Sequence, residues 1–206
     1  MENNLLYQFD LEKGKEIIGV DEAGRGPLAG SVVAAAVKLK RYSEELQEIN
    51  DSKKLTEKKR EKLFDIIMEN FEVGIGIASV QEIDELNILN ATFLAMRRAI
   101  EELDKKTNTD VLVLVDGNFK IREYIGKQER IIKGDAKSLS IAAASIIAKV
   151  TRDRQLVEEG KKYPEYHFEK HKGYGTKAHR EALLQYGVTP IHRKTFLTKI
   201  LGENEK

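Results

Sequence analysis

The run Val111-Leu-Val-Leu-Val115 constrains this chain more than any other stretch. Five consecutive apolar residues, with no polar position to turn toward water, describe a strand covered on both faces. Such a strand needs cover above and below it, and antiparallel strands first with helix-linked strands later suggest a layered α/β protein. The other elements read accordingly. Strands are predicted at 16–20 and 31–40, paired antiparallel across a short glycine-rich connection. Thr56 is the expected N-cap of a helix over 57–69, with Leu63, Phe64 and Ile67 on one face. A third strand is expected at 71–80, helices at about 81–86 and 91–104, and a short strand at 130–133. A long helix follows from about 136 to 159, then tail helices at about 177–186 and 193–201. The expected fold class is α/β: a mixed central β-sheet flanked by helices, with a C-terminal helical segment. The chain has three prolines and shows no repeat or linker. Residues 1–206 therefore read as one domain, with a core at about 15–160 and a helical segment at about 161–206. The polar end 201–206 is expected to fray.

Of the 206 residues none is cysteine. That excludes a disulfide framework and a thiolate zinc site, and it fits a reducing compartment. The start shows no basic stretch followed by an apolar run, so no signal peptide is expected. The most apolar candidate span, 138–150, is rich in alanine and serine and reads as a buried helix. A cytoplasmic protein without a membrane partner is expected. The net charge is only +1, but its distribution is uneven. Residues 1–116 carry 16 Lys+Arg against 23 Asp+Glu, a balance of −7, while residues 117–206 carry 19 against 11, a balance of +8. Such asymmetry points toward a polyanionic partner; chance segregation of solvated charges is the plain alternative.

Acids stand at the ends of three predicted strands. Asp21 and Glu22 follow the first, Asp116 follows the apolar run, and Asp135 follows the short strand. Ligands of open α/β sheets bind just beyond strand ends. A carboxylate cluster there repels itself unless cations neutralise it. Oxygen donors without His or Cys select Mg²⁺ or Mn²⁺, and two such ions about 4 Å apart clamp a phosphodiester for hydrolysis. Each acid also has a purely structural reading. Asp21 and Glu22 could be turn residues, Asp116-Gly117 a turn dipeptide, and Asp135 a helix cap. As strand neighbours, Asp21 and Glu22 can both ligate only if the strand bends or ends there.

Gly24-Arg25-Gly26-Pro27 lies directly beyond the first acids. Its glycines let backbone approach a ligand, and Arg25 offers a fork for phosphate. It is neither a Walker A loop nor a Rossmann fingerprint, because the following residues do not fit either spacing. The tail interleaves Lys161, Lys162, Lys170, Lys172, Lys177, Arg180, Arg193 and Lys194 with Tyr163, Tyr166, Phe168 and Tyr174. That mixture suits a phosphate backbone and stacking on sugar or base, or else the aromatics simply pack beneath the tail helices. All four histidines lie here too. His167 and His171 have helical zinc spacing, but Pro164 and Gly173 flank them and argue against a helix.

Taken together, these segments resemble the ribonuclease HII family. Ile17-Ile-Gly-Val-Asp-Glu-Ala-Gly-Arg-Gly-Pro-Leu-Ala-Gly30 is similar to its opening signature. Asp51-Ser-Lys-Lys-Leu55, Val115-Asp-Gly-Asn118, Lys133-Gly-Asp-Ala-Lys-Ser138, the block Ala142–Asp153, and His171-Lys-Gly-Tyr-Gly-Thr176 resemble its later blocks in family order. The resemblance covers about residues 15–190. It implies a ribonuclease H-like fold and an acidic, metal-holding quartet at Asp21, Glu22, Asp116 and Asp135. It implies that Gly24, Arg25 and Gly26 read a ribose 2′-hydroxyl, largely through backbone, and that Tyr174 packs on the sugar beside the scissile phosphate. The implied reaction is cleavage of the RNA strand of an RNA–DNA hybrid, or nicking of duplex DNA 5′ to an embedded ribonucleotide. Products would carry 3′-hydroxyl and 5′-phosphate ends, and the enzyme is expected to be a monomer. Ribonuclease HIII would need an extra N-terminal domain, for which there is no room before residue 15. Lys53 and Lys137 are expected to contact phosphates, because each sits in a matched block beside the acids. Two other classes compete: a junction-resolving or integrase-like nuclease of the same broad fold, and a non-catalytic nucleic-acid-binding module using the basic tail.

Overall fold

The computed structural model describes residues 4–202. Five strands form one sheet: β1 (Ile17–Ala23), β2 (Val32–Leu39), β3 (Phe71–Ala78), β4 (Leu112–Asp116) and β5 (Gln128–Ile131). Their order is β3-β2-β1-β4-β5. β1, β2 and β3 pair antiparallel, whereas β1, β4 and β5 run parallel. The mixed sheet expected from the sequence is therefore present. The parallel half matters most, because the C-terminal ends of β1, β4 and β5 all open at one edge.

Helices cover both faces. On one side α4 (Ile88–Asp104) sets Ala91, Phe93, Ala95, Met96 and Ala99 against Ile18, Val20, Ala34, Ala36, Val113 and Val115. On the other, α2 (Glu57–Asn70) and α5 (Leu139–Lys162) pack on Ala35, Val37 and Val73. Leu114 faces that side with Ile17, Ile131 and Ile141. The apolar run is thus buried on both faces, as its composition requires. Small residues set the layer spacing. A Cβ on Gly19 would lie 2.2 Å from the carbonyl carbon of Ser140, so only glycine lets α5 lie this close to β1.

Thr56 caps α2 by accepting from the Lys59 amide, as expected. Four local readings are corrected. β1 does not stop at residue 20 but runs through Asp21 and Glu22, held by β2 pairing of Asp21 with Ala35 and Glu22 with Ala34. The strand predicted at 130–133 is shifted to Gln128–Ile131, because Lys133 adopts a left-handed conformation with φ 55°. The long helix begins at Leu139, capped by Ser138, and Asp135 sits before it in a single 3₁₀ turn, Gly134–Ala136. Residues Phe168–His171 form one helical turn, α6, despite the flanking Pro164 and Gly173. A helix the sequence did not announce, α1 (Leu5–Lys13), docks through Asp10, whose Oδ2 accepts from the Ser140 amide and hydroxyl, both at 2.8 Å.

Two further short helices, α3 (Val80–Leu86) and α7 (Lys177–Tyr186), precede the last, α8 (Lys194–Leu201). The tail from Pro164 onward packs Tyr166, Phe168, Leu183 and Leu197 on Ala29 and Leu156. Of the polar end 201–206, Leu201 closes α8 and residues 203–206 lie outside the described residues. Among the described residues no helix is long and apolar enough to cross a membrane.

Candidate active site

The strand ends gather the predicted acids. In the register of β1 with β4, Val20 lies beside Val115, so Asp21, Glu22 and Asp116 emerge together. Asp21 and Glu22 point to opposite faces of β1, yet with β4 ending at Asp116 both side chains line one cleft of about 220 Å³ with it. β1 itself continues through Ala23. Asp135 is brought up by the turn after β5, whose Gly134 amide donates to Asp116 Oδ1 at 2.6 Å.

Crowding shows in the electrostatics. Burial pushes the Asp21 carboxyl well above the usual carboxylate range, and the charges of Glu22 and Asp116 push it further. Glu22 is raised by burial, with Arg25 opposing and Asp116 adding to the effect. Asp135 is raised by burial, then by Asp116 and Asp51, against the pull of Lys53. Two cations offset part of this repulsion: Arg25 Nη1 lies 3.3 Å from Glu22 Oε1, and Lys53 Nζ lies 3.6 Å from Asp135 Oδ2. Desolvation lowers Lys53, but the charges of Asp135, Asp21, Asp51 and Asp116 outweigh it and hold its pKa above the ordinary value. The donor set is all oxygen, which suits a hard divalent cation in kind. As the side chains stand, no three His, Asp or Glu among the described residues are close enough to hold an ion between them.

The cleft is completed by Gly24, Arg25, Gly26, Lys53, Ser145, Lys149 and Tyr174. Tyr174 is 43% exposed and faces Gly26, where an added Cβ would meet its ring at 3.9 Å. Lys149 Nζ stands 5.7 Å from the Tyr174 ring centroid and pairs with Asp153 Oδ1 at 2.7 Å. Ser145 lies beside Asp21, easing its raised pKa, and its hydroxyl is 2.8 Å from the Ser52 hydroxyl. That link ties the Lys53 segment to the first acid. Sequence reasoning nominated neither serine nor Lys149, although Ser52, Ser145 and Lys149 all fall inside the motif blocks.

Two sequence expectations fare differently. Lys137 is not brought to this cleft; its side chain borders a hollow lined by Phe9, Lys13, Glu129 and Ile132. The tail's aromatics and histidines are largely internal. Tyr166 and Phe168 are buried, as are His179 and His192. The Thr189 amide donates to His192 Nδ1, His192 Nε2 lies 2.9 Å from His179 Nε2, and His179 Nδ1 lies 2.9 Å from the Tyr174 carbonyl. Burial pulls both rings down to about 4, so at neutral pH they are uncharged supports beneath Tyr174 rather than phosphate ligands. His171 caps the Tyr166 carbonyl at 2.7 Å and stacks on His179.

A family model described as Ribonuclease HII matches residues 18–199. The chain belongs to the ribonuclease HII family. A curated Ribonuclease HII from Fusobacterium nucleatum subsp. nucleatum is 68% identical over 206 residues, covering 99% of this chain and 95% of that protein. Two solved structures share the fold. The ribonuclease H2 from Pyrococcus horikoshii OT3 has a TM-score of 0.70 at 32% identity, covering 90% of this chain and 96% of that one. The ribonuclease HII of Archaeoglobus fulgidus, solved in complex with PCNA, has a TM-score of 0.72 at 26% identity, covering 87% and 94%. The fold is therefore the ribonuclease H-like α/β fold, and membership in the ribonuclease HII family makes this chain a ribonuclease H hydrolase.

Proposed function

We propose that this chain is an endonuclease that hydrolyses the RNA strand of RNA–DNA hybrids and nicks duplex DNA 5′ to embedded ribonucleotides. The observation that carries this reading is the meeting, in one cleft, of Asp21, Glu22 and Asp116 with the Gly24–Gly26 backbone and the exposed Tyr174 ring, with Asp135 alongside, 3.6 Å from the cleft's Lys53. Asp21, Glu22, Asp116 and Asp135 would hold Mg²⁺ or Mn²⁺, two ions in the active state. Bound there, such ions supply an activated water and charge stabilisation of the leaving oxygen. The protein's part is to hold the phosphodiester in line. Lys53, 79% exposed at the cleft rim, can exchange its carboxylate partner for a phosphate. Arg25 can turn from Glu22 to the same strand once the acids are neutralised. Gly24, Arg25 and Gly26 read the ribose, and Tyr174 offers a flat surface for its sugar. A single 2′-hydroxyl separates RNA from DNA, and donors left unpaired without it reject the deoxy substrate. Lys137, in its separate hollow, would meet phosphate only further along a duplex. Products would end in 3′-hydroxyl and 5′-phosphate, suited to ribonucleotide removal and RNA primer processing by a cytoplasmic monomer.

Digestion of a uniformly hybrid duplex, with end-group analysis of the fragments, tests the reading. The expected fragments accept ligation at 5′-phosphates and polymerase extension at 3′-hydroxyls, and none form in chelator. Cyclic or 3′-phosphate ends, or cleavage that persists in chelator, would remove it.

A further inference from the structure

Arg193 belongs to the basic tail by sequence, but it is fully buried, with 0% exposure. It has no carboxylate partner among its hydrogen bonds. All of them go to backbone carbonyls of one segment. Nη2 donates to Gly24 O at 2.6 Å and to Ser31 O at 3.2 Å. Nη1 donates to Arg25 O at 3.1 Å and to Pro27 O at 2.8 Å. Nε donates to Gly30 O at 2.8 Å. Five donors thus meet five carbonyls, which is the full capacity of a guanidinium. A buried charge costs free energy unless its hydrogen bonds are satisfied, and here a single loop satisfies every one.

The peptide geometry gives this arrangement a consequence. The chain contains no cis peptide bond among the described residues, so each C=O points opposite to the N–H of its own peptide unit. Drawing the Gly24 carbonyl inward therefore turns the Arg25 amide outward. Drawing the Arg25 carbonyl inward turns the Gly26 amide outward. Neither amide has an acceptor among the described residues, and both residues line the cleft. Pro27 has no amide to offer. Leu28 and Gly30 spend theirs on the Gly173 and Ile191 carbonyls, at 2.8 Å each, which stitches the loop root to the tail. The Arg25 and Gly26 amides are thus two adjacent donors without an acceptor among the described residues, aimed away from the guanidinium.

We propose that Arg193 is the positioning residue for ribose recognition: by capturing the Gly24 and Arg25 carbonyls it presents the Arg25 and Gly26 amides to the 2′-hydroxyl. The inference rests on the reading of the cleft as a ribonucleotide site. Arg193 touches no substrate and acts only through the loop. Arg152, also fully buried, holds the loop's other end through Ala29 O and Ser31 O and the Tyr174 turn through Lys172 O. It leaves the Gly24 and Arg25 carbonyls to Arg193.

The test is a binding cycle in the Asp116→Asn background, which blocks turnover. Affinity is measured for a duplex with one ribonucleotide and for the same duplex in all-DNA form, with Arg193 intact, Arg193→Lys and Arg193→Met. Lysine keeps the charge but not the fork; methionine removes both. Both variants are expected to lower the ribonucleotide-to-DNA affinity ratio, roughly tenfold for a lost pair of amide contacts, while leaving all-DNA affinity in place. An unchanged ratio, or an equal fall in both affinities, would overturn the role. Should both variants fail to fold by thermal melting, the Arg25 and Gly26 amide resonances of Asp116→Asn are followed instead. They are expected to move on ribonucleotide duplex and not on DNA, and no difference would overturn the proposal. If the Arg193-intact protein itself does not distinguish the two duplexes, the ribonucleotide reading of the cleft fails first and this inference with it.

Discussion

Asp21 is where stability and chemistry pull apart. Its carboxyl is buried, and its folded pKa lies well above its ordinary value through desolvation and the charges of Glu22 and Asp116. The native state therefore binds protons that the unfolded chain has released. Stability from this group is full below the unfolded carboxylate value and is lost as pH rises through the raised one. In chelator at neutral pH, Asp21→Asn is expected to raise Tm, by about 2–4 °C for each kcal/mol of repulsion removed. Calorimetry checks this, and a lower Tm would mean the cluster does not strain the fold. The same substitution is expected to cut cleavage by roughly a thousandfold or more, as loss of several kcal/mol of transition-state stabilisation requires. The two lysines separate in the same way. Lys53→Ala should weaken duplex binding and reduce the salt slope by about one. Lys137→Ala should leave the slope nearly unchanged, and titrations at several salt concentrations distinguish them. The acids were legible because each follows a recognisable strand and all occur in order. Lys137 stands apart from the cleft, because nearness to Asp135 in sequence says nothing of where a turn aims the next side chain. Arg193 was grouped with phosphate-facing bases because sequence gives charge but not burial.

The elements show what periodicity can and cannot reveal. β4 and α2 were legible from an unbroken apolar run and from a capped, one-sided helix. α1 was not, because Leu5, Leu6, Phe9 and Leu11 are spread around it and no single face stands out; Leu5 and Leu11 stay exposed. Leu6, Tyr7 and Phe9 pack on the core, and a polar anchor joins them: Asp10 caps the start of α5, with burial raising its pKa and Oδ1 left without a partner. Asp10→Ala is expected to cost about 1–2 kcal/mol in urea unfolding, the value of a buried capping interaction less the relief of an unpaired oxygen. The start of α5 was placed three residues early because Asp135 imitates an N-cap; Ser138 holds that role and leaves Asp135 to face Lys53. The contact of α5 with β1 sets the position of Ser145 against Asp21. Gly19→Ala puts a carbon against backbone rather than a flexible side chain, so about 3 kcal/mol of destabilisation is expected by denaturant titration. Wild-type stability would show that α5 can lift without penalty.

At the scale of the molecule, the charge asymmetry of the sequence has a spatial meaning. Three of the four acids lie in the acidic half, while Asp135, Tyr174 and the buried Arg152 and Arg193 come from the basic half. The tail joins the core through the Gly24–Ser31 segment, where bonds from Arg193, Gly173 and Ile191 converge. The layered fold could be read from the order of strands and helices, and the convergence of Asp21, Glu22 and Asp116 from two strand ends. The interlock of tail and loop could not, since it consists of backbone carbonyls that no residue pattern encodes. We propose this cleft as a metal-dependent site selective for ribonucleotides. It is tested most directly on a DNA duplex with one embedded ribonucleotide, beside all-DNA and all-RNA duplexes, using wild type and Asp116→Asn in Mg²⁺, Mn²⁺ and chelator. One nick 5′ to the ribonucleotide is expected with wild type in metal, and none in chelator, with Asp116→Asn, or on either control. A folded wild type that leaves the ribonucleotide intact in both metals, or that cuts all-DNA equally well, would contradict it.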